Sequence, residues 1–583
     1  MNRALRQVVL VACSLALVLL PPRVAAQVDP PPPQGPPVVQ FTDVSVAAGV
    51  ANDVCNSSTA HSLGINWVDL DRDGWLDLFI VTGGPNRWPN VYRNLGDGTF
   101  ELRNEWLPTI PGVEMSGSRF ADVDNDGDAD LFVYTDHPDL VTNGDNAPDG
   151  PPNFFFRNQL AELGFEAPDD APMFLEQAAL AGVDDLADPP WGELPAYRAK
   201  TAGFVDYDRD GWVDLYVGHL VMNHGGEPSN RDRLYRNRGD GTFEDVTEAV
   251  GLPGPDAPAE RFRGTLAFLA AHLDDDLWPD LYVVHAGGRD PQPFINDFIY
   301  RNLGPTEGGV VFEEITDQLP GIGDDAEAGM GIDVADVDLD GDWDLYLSDL
   351  LNTNQDALPR GNVLYLGQGD GSFADNSAPA AGVVGHNSWG VNFFDVDLDG
   401  DEDLYVATTQ SAGTELLYLN DGTGHFTNVA DSAGLVTFNT RGSATADFDH
   451  DGDLDLAVVN QAGRVQLFRN DTTTAGHWIQ LELVGSASNR DGIGTLIVAE
   501  TESATLRRQV TGGSSAHSQD TLRVHFGLGE STEISRLRVF WPSGQVDTFD
   551  ELAVDRFYRL TEGLFFGDGF ESGDLSAWSS VEP

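Results

Sequence analysis

Residues 395–403 read Asp-Val-Asp-Leu-Asp-Gly-Asp-Glu-Asp, and the apolar run Leu404-Tyr405-Val406 follows at once. Carboxylates at positions 1, 3 and 5 of a tight loop can converge on one point. Glycine at position 6 permits a left-handed turn. Position 7 offers its backbone carbonyl, and Asp at position 9 closes the set. This donor set suits Ca²⁺, a hard cation that takes about 6–8 oxygens; Mg²⁺ prefers to keep its waters. The opening half matches an EF-hand loop, but position 12 is not glutamate and a strand pattern, not a helix, follows.

The same unit recurs. Intact copies start at Asp69 (DLDRDGWLD), Asp122 (DVDNDGDAD), Asp206 (DYDRDGWVD), Asp336 (DVDLDGDWD), Asp395 and Asp447 (DFDHDGDLD), and a degenerate copy, HLDDDLWPD, starts at His272. The expected ligands are Asp69, Asp71, Asp73 and Asp77; Asp122, Asp124, Asp126 and Asp130; Asp206, Asp208, Asp210 and Asp214. They continue with Asp336, Asp338, Asp340 and Asp344; Asp395, Asp397, Asp399 and Asp403; and Asp447, Asp449, Asp451 and Asp455. The degenerate copy keeps Asp274, Asp276 and Asp280 but has His272 at position 1 and Leu277 for glycine, so it is expected to be weak or empty.

Most loops are followed by an aromatic, Arg-Asn, a Gly turn and Phe, as in Tyr92-Arg93-Asn94 to Phe100 and Tyr235-Arg236-Asn237 to Phe243. GDG and NDG between apolar runs signal hairpins. Each repeat therefore holds about four short strands, and seven such repeats predict an all-β, seven-bladed propeller over residues 40–470. The last repeat lacks its final strand. Phe41-Thr42-Asp43-Val44 matches that strand and is predicted to complete it, sealing the ring. Residues 136–200 read as an insertion rich in Pro, Gly and Asp. Residues 475–562 alternate apolar and polar residues with Gly breaks and read as a small β-domain. Residues 563–583 form an acidic tail resembling a short motif near the ends of some secreted bacterial proteins.

These motifs carry a resemblance. The Asp loops with their Arg-Asn-x-Gly-Asp-Gly-Thr-Phe followers resemble FG-GAP/VCBS repeats, which form the Ca²⁺-binding propeller also seen in integrin alpha chains. Asn489-Arg490-Asp491-Gly492-Ile493-Gly494, Gly512-Gly513-Ser514, Ser518-Gln519, His525-Phe526-Gly527-Leu528-Gly529 and Trp541-Pro542-Ser543-Gly544 resemble an ASPIC/UnbV domain. Together the halves resemble the cartilage-acidic-protein-like family, which implies a secreted, acidic, Ca²⁺-binding extracellular protein.

Composition agrees and excludes alternatives. The 583 residues carry 95 Asp and Glu against 32 Lys and Arg, a formal charge of −63. That sign opposes binding to nucleic acid or anionic lipid. Seven divalent ions would cancel 14 of those 63 charges, and a solvated surface accounts for the rest. Arg3 and Arg6, the apolar run Val8–Leu20 and Val24-Ala25-Ala26 read as a signal peptide over residues 1–26, with the mature chain starting near Gln27. The run is too short to span a membrane. Leu10-Val11-Ala12-Cys13 resembles a lipoprotein box, but the apolar run continues beyond it. Residues 27–39 form a Pro-rich linker. Cleavage would leave one cysteine, Cys55, and so no internal disulfide. Ca²⁺ could then take the stabilising place of disulfides.

The chain shows no G-x-S-x-G elbow, HExxH or P-loop. Cys55 lacks a nucleophile's context, and His219 and His224 read as ordinary loop histidines. Arg238-Gly239-Asp240 spells an adhesion tripeptide but coincides with the repeat's own turn. Trp75, Trp212, Trp343 and Trp389 read as blade packing. No role attaches to His517 and His525. The resulting expectation is a secreted or periplasmic, non-enzymatic adhesion module for an extracellular protein or carbohydrate. Two other readings stay open: a carbohydrate-active or carbohydrate-binding protein using the propeller face, and a Ca²⁺-bridged cell-surface or matrix component.

Overall fold

Short alternating apolar runs punctuated by Asp-Gly turns form strands throughout. The computed structural model describes residues 38–51, 63–81, 88–109, 115–135, 153–169, 171–184, 199–219, 232–253, 264–274, 276–285, 297–319, 322, 329–350, 361–369, 371–375, 382–383, 387–409, 416–437, 439–461 and 464–564. All lie within the compact unit Pro37–Pro583. The signal peptide, most of the Pro-rich linker, Cys55, His224 and nearly all of the tail lie outside them.

Among the described residues up to Asn470, seven antiparallel sheets have four strands each. Sheet 1 runs Ile65–Val68, Asp77–Ile80, Asn90–Asn94, Phe100–Leu102, and sheet 2 runs Met115–Ala121, Asp130–Thr135, Phe154–Asn158, Phe174–Glu176. Sheet 3 comprises Ala199–Val205, Asp214–His219, Arg233–Asn237, Phe243–Asp245; sheet 4 comprises Thr265–Ala271, Asp280–His285, Phe298–Thr306, Gly309–Glu314. Sheet 5 holds Gly329–Ala335, Asp344–Asp349, Val363–Gly367, Phe373–Asp375, and sheet 6 holds Ser388–Phe394, Asp403–Thr408, Leu416–Leu419, Thr427–Asn428. Sheet 7 takes Thr440–Ala446, Asp455–Asn460 and Val465–Asn470 from one end of the series and Phe41–Asp43 from the other, with Phe41 opposite Asn470. First strands pack side by side from sheet 1 through sheet 7, and the first strand of sheet 7 packs on that of sheet 1. The arrangement is compatible with a β-propeller.

The span read as an insertion, residues 136–200, contributes the third and outer strands of sheet 2. Its period is disguised because Phe154-Phe155-Phe156 replaces the usual aromatic-apolar pattern and residues 159–173 replace a Gly-Asp-Gly turn.

The asparagine ending most third strands joins neighbouring sheets. Asn94 Nδ2 donates to the Phe448 carbonyl (2.9 Å), Asn237 to Val123 (2.8 Å), Asn302 to Tyr207 (2.9 Å), Asn420 to Val337 (2.7 Å) and Asn470 to Val396 (2.9 Å). Each acceptor is position 2 of the preceding sheet's Asp loop. The Arg-Asn dipeptide is thus a seam as well as a strand end.

The C-terminal domain has two sheets. Trp478–Val484 lies between Val524–Gly527, antiparallel, and Arg556–Thr561, parallel. The second sheet orders Thr505–Gln509, Leu496–Glu500, Glu533–Phe540, Val546–Ala553. Its core is continuous with that of sheets 2 and 3: Phe204, Leu215 and Val217 share one cluster with Ile479, Ile497 and Phe526.

The segment Gly512–Asp520 reaches into the middle of the seven sheets. Phe204 N donates to Gly512 O (2.9 Å), Ser515 N to Ile332 O (2.9 Å), Gln519 N to Ile65 O (3.0 Å) and Phe120 N to Gln519 Oε1 (2.8 Å). Val391 N reaches Ser515 Oγ (3.0 Å) and Thr445 N reaches Asp520 Oδ1 (2.6 Å). Ala516 shares an apolar cluster with Met330, Trp389 and Leu266. First strands of sheets 1, 2, 3, 5, 6 and 7 therefore bond this one segment, and Leu266 of sheet 4 packs against the apolar cluster that holds Ala516. The domain inserts into the sheets; it does not merely pack beside them.

Two substitutions test these seams. Asn237→Ala leaves the buried Val123 and Val213 carbonyls without their amide partner and is expected to cost about 1–3 kcal/mol in denaturant unfolding. Gly512→Ala sets a methyl 1.9 Å from the Phe204 carbonyl oxygen, so the segment must shift. A destabilisation of about 1–3 kcal/mol is expected, and unchanged melting would refute the insertion.

Candidate cation sites

The Asp loop is the hairpin between first and second strands, and position 9 starts the second strand in all seven sheets. Position 6 is left-handed, as at Gly74 (φ 95°), Gly127 (φ 99°) and Gly400 (φ 104°), and Leu277 takes φ 63° at the same place. Position 4 is left-handed as well, with ordinary residues: Arg72, Asn125, Arg209, Leu339, Leu398 and His450 have φ of 57–60°. That conformation costs a non-glycine residue about 1–2 kcal/mol and turns the loop amides inward. The sequence offers no signal for it.

Amides then organise the carboxylates. The position 6 N–H donates to the position 1 carboxylate, at 3.0 Å for Gly74 to Asp69, 2.7 Å for Gly127 to Asp122 and 2.8 Å for Gly400 to Asp395. The position 7 N–H donates to position 5, as Trp75 to Asp73 (3.0 Å) and Asp401 to Asp399 (3.1 Å). Position 9 buttresses the hairpin. Asp77 Oδ1 accepts Asn94 N (2.8 Å) and Oδ2 accepts Leu70 N (3.0 Å), and the pattern repeats at Asp130, Asp214, Asp344, Asp403 and Asp455.

The structure brings the predicted ligands together. Oxygens of Asp69, Asp71 and Asp77 lie within 4.8 Å of one another, as do those of Asp122, Asp124 and Asp126, of Asp206, Asp208 and Asp210, and of Asp336, Asp338 and Asp340. In the sixth and seventh loops Asp397 and Asp399 press on Asp395, and Asp449 and Asp451 on Asp447. One buried oxygen of the position 3 carboxylate, Oδ1 of Asp124, Asp208, Asp338, Asp397 and Asp449, has no hydrogen-bond donor. An orphaned buried carboxylate oxygen, repeated at one loop position, fits a hard cation.

Burial raises these acids. It pushes Asp69, Asp206 and Asp397 up to about 7 and Asp122 up to about 8, with neighbouring carboxylates adding to the shift. In several sheets the Arg of Arg-Asn partly compensates. Arg93 meets Asp71 (2.5 Å) and Asp73 (2.9 Å), Arg236 meets Asp208 and Asp210 (both 2.7 Å), and Arg301 meets Asp274 (3.1 Å). Sheets 5 and 6 have Leu366 and Leu419 at that position.

The C-terminal domain closes over position 1. Gln480 Nε2 donates to Asp447 Oδ2 (2.8 Å), Asn489 Nδ2 approaches Asp206 (3.5 Å), and the guanidinium of Arg490 lies 3.6 Å from Asp122 and that of Arg523 3.8 Å from Asp69. Gly527 passes so close to Asp395 that a Cβ there would lie 1.8 Å from its carboxylate. In the degenerate loop His272, kept neutral by burial, donates from Nε2 to the Gly494 carbonyl (2.9 Å). His525, pushed down to about 4 by burial, donates likewise to Gly452 O (3.0 Å). The sequence assigns these C-terminal residues no role, although Asn489-Arg490 and His525-Phe526-Gly527 lie in motifs that carry the ASPIC/UnbV resemblance.

Other singled-out residues have packing roles. Trp75 stacks on His450 at 3.9 Å, and Trp389 lies beneath the Arg441 guanidinium, also at 3.9 Å. Trp212 packs against Gly239, and Trp343 is buried. Asp240 of the adhesion tripeptide accepts its own turn's Thr242 N (3.0 Å), as Asp97 does for Thr99 (3.1 Å). His219 is buried in the second strand of sheet 3, and His517 contacts Tyr134 Oη at 3.4 Å. Among the described residues no helix is long and apolar enough to cross a membrane.

Comparison with known proteins agrees with the loop geometry. The family described as FG-GAP-like repeat matches residues 69–133, 206–283 and 395–458, and that described as ASPIC and UnbV matches residues 485–564. No curated protein matches the chain. A crystal structure of rhamnogalacturonan lyase YesW is similar at 15% identity over 74% of this chain and 75% of that one, with a TM-score of 0.36, too low to carry an argument. The chain therefore carries FG-GAP-like repeats and a C-terminal ASPIC and UnbV domain.

Proposed function

We propose that the chain is a secreted, Ca²⁺-stabilised propeller of seven blades, sealed by its N-terminal strand, that serves as a non-enzymatic extracellular binding module. The observation that carries the cation is the orphaned position 3 oxygen, recurring in five of the hairpins. Asp69, Asp71 and Asp73 would hold one ion with the position 7 carbonyl, and the equivalent residues would serve the other intact loops. Asp77, whose carboxylate lies within 4.8 Å of those of Asp69 and Asp71, would close the set while it and its equivalents also accept the backbone amides of each hairpin. Bound Ca²⁺ supplies the positive charge and oxygen coordination that these carboxylates lack.

Insertion of Gly512–Asp520 supports a scaffold role, because that segment occupies the place where the first strands converge. The C-terminal domain covers the Asp-loop side. The partner surface is therefore assigned to the opposite side, where second strands end at Thr135, His219, His285, Asp349 and Thr408. The partner class is an extracellular protein or carbohydrate. Retention of the mature chain on immobilised glycans or matrix proteins tests it, and Ca²⁺-dependent self-association in light scattering would instead favour an assembly component.

Paired Asp397→Ala and Asp399→Ala substitutions should lower the melting temperature in Ca²⁺ and remove one ion from the bound count. Equal melting of wild type and variant in Ca²⁺ would refute a stabilising site.

The pH dependence has a definite sign. In the fold, Asp69, Asp206 and Asp397 hold protons to about 7 and Asp122 to about 8, whereas the unfolded value is 3.8. Between those values the folded chain binds more protons, so stability in EDTA falls as pH rises. The melting temperature in EDTA should drop from about pH 5 to about pH 8.5, and the gain on adding Ca²⁺ should grow over the same range. A flat or rising EDTA profile would exclude this account.

A further inference from the structure

Position 7 divides the loops. It is Trp75, Trp212 and Trp278 in sheets 1, 3 and 4, and each ring packs against the first glycine of the following turn, Gly96, Gly239 and Gly304. It is aspartate in the other four sheets. In sheet 2 the following turn also departs from the repeat, running Gln159-Leu160-Ala161-Glu162-Leu163-Gly164 where sheet 1 has Leu95-Gly96-Asp97-Gly98.

This exchange builds a second acidic group beside the loop. Ligand oxygens of Asp126, Asp128 and Glu162 lie within 4.8 Å of one another. Asp128 is 1% exposed; its Oδ2 accepts Ala161 N at 2.7 Å, and its buried Oδ1 has no donor. Asp126 is also held more loosely than its counterparts. Arg157 bonds Asp124 and Asp130 but stays 3.9 Å from Asp126, whereas the matching distances are 2.9 Å for Arg93 to Asp73 and 2.7 Å for Arg236 to Asp210. Arg72, stacked on Phe165, is another nearby positive charge, and Arg490 lies against Gly127 of the same loop.

We infer that Asp126, Asp128 and Glu162 form a second divalent-cation site of sheet 2, beside the loop position of Asp122 and Asp124 and sharing Asp126 with it. Three carboxylates from a loop and its neighbouring turn offer an all-oxygen set open to solvent on the Glu162 side. That is the donor chemistry Ca²⁺ takes. An ion there would tie the turn after the third strand to the Asp loop, a task that the tryptophan ring performs in sheets 1, 3 and 4. The site does not require that the other loops hold ions.

The test counts Ca²⁺ bound to the mature full-length chain by elemental analysis after equilibrium dialysis. Glu162→Gln is the informative variant, because the side chain is exposed and the fold does not depend on it. Asp128→Asn is the second variant, and equal melting in EDTA confirms that each is folded. Each single change should lose one ion, and Glu162→Gln combined with Asp124→Asn should lose two. Anomalous scattering from Mn²⁺-soaked crystals should place an ion among the three carboxylates. An unchanged count in Glu162→Gln overturns the site. If the paired Asp397 and Asp399 variant still loses an ion in that case, the wider cation reading stands. Wild type binding no ion overturns both.

Discussion

In each intact hairpin the first aspartate lies under the C-terminal domain with much of its water removed. An ion stripped of solvent costs several kcal/mol unless something replaces that solvation. Here one protein surface carries six such aspartates, each beside further carboxylates. The loop supplies amides from positions 6 and 7, which is why glycine stands at position 6 and why position 4 accepts a left-handed conformation. Amides alone do not neutralise the charge, as the raised values at Asp69, Asp122 and Asp206 show. Fold and domain docking both follow from how that residual charge is met.

Different sheets meet it differently. Arg93, Arg157, Arg236 and Arg301 bring a guanidinium to their own loops. Sheets 5 and 6 have leucine there, and the nearby positive charges come from Arg507 and Arg508 on the C-terminal domain. Arg508 pairs with Glu402 at 2.7 Å; burial raises Asp395 and Asp336, and Arg508 offsets part of that rise at Asp395 while both arginines do so at Asp336. Domain docking and charge compensation in those two sheets are thus one event. By linkage, whatever favours one favours the other. His272 fits the same scheme: the degenerate loop has no carboxylate at position 1, and a neutral ring bonds the docked domain in its place.

Much of this was legible in the sequence, for identifiable reasons. Position 9 aspartates mark strand starts because both oxygens cap backbone amides, so their spacing maps directly onto the sheets. Phe41-Thr42-Asp43 could be matched to sheet 7 because the other outer strands carry the same Phe, or in sheet 6 follow it directly at Phe426. The strands of sheet 2 after Thr135 were hidden by an unusual turn that also carries Glu162. The role of Gly512-Gly513-Ser514 and Ser518-Gln519 could not be read, because those residues act through contacts hundreds of positions away. Gln519 bonds the Phe120 backbone through both atoms of its side-chain amide, Oε1 accepting and Nε2 donating, and nothing in its neighbours announces that. Asn94 and its equivalents were visible as a motif, yet their bonds to the preceding sheet depend on how sheets are ordered in space.

The connectivity also constrains how the chain can assemble. Sheets 1 to 6 draw their strands from contiguous sequence, so each can form from local pairing. Sheet 7 cannot, because Phe41–Asp43 pairs with residues 468–470, and loop closure over that span opposes early formation. The segment Gly512–Asp520 comes later still and bonds first strands from sheets 1, 2, 3, 5, 6 and 7, so it can settle only once those strands stand in place. Until then the position 1 aspartates stay open to water, and their charge is cheap to hold. Docking removes that water. Docking of the C-terminal domain is what buries those aspartates, so a cation at the loops, as proposed above, would lower the cost of that step.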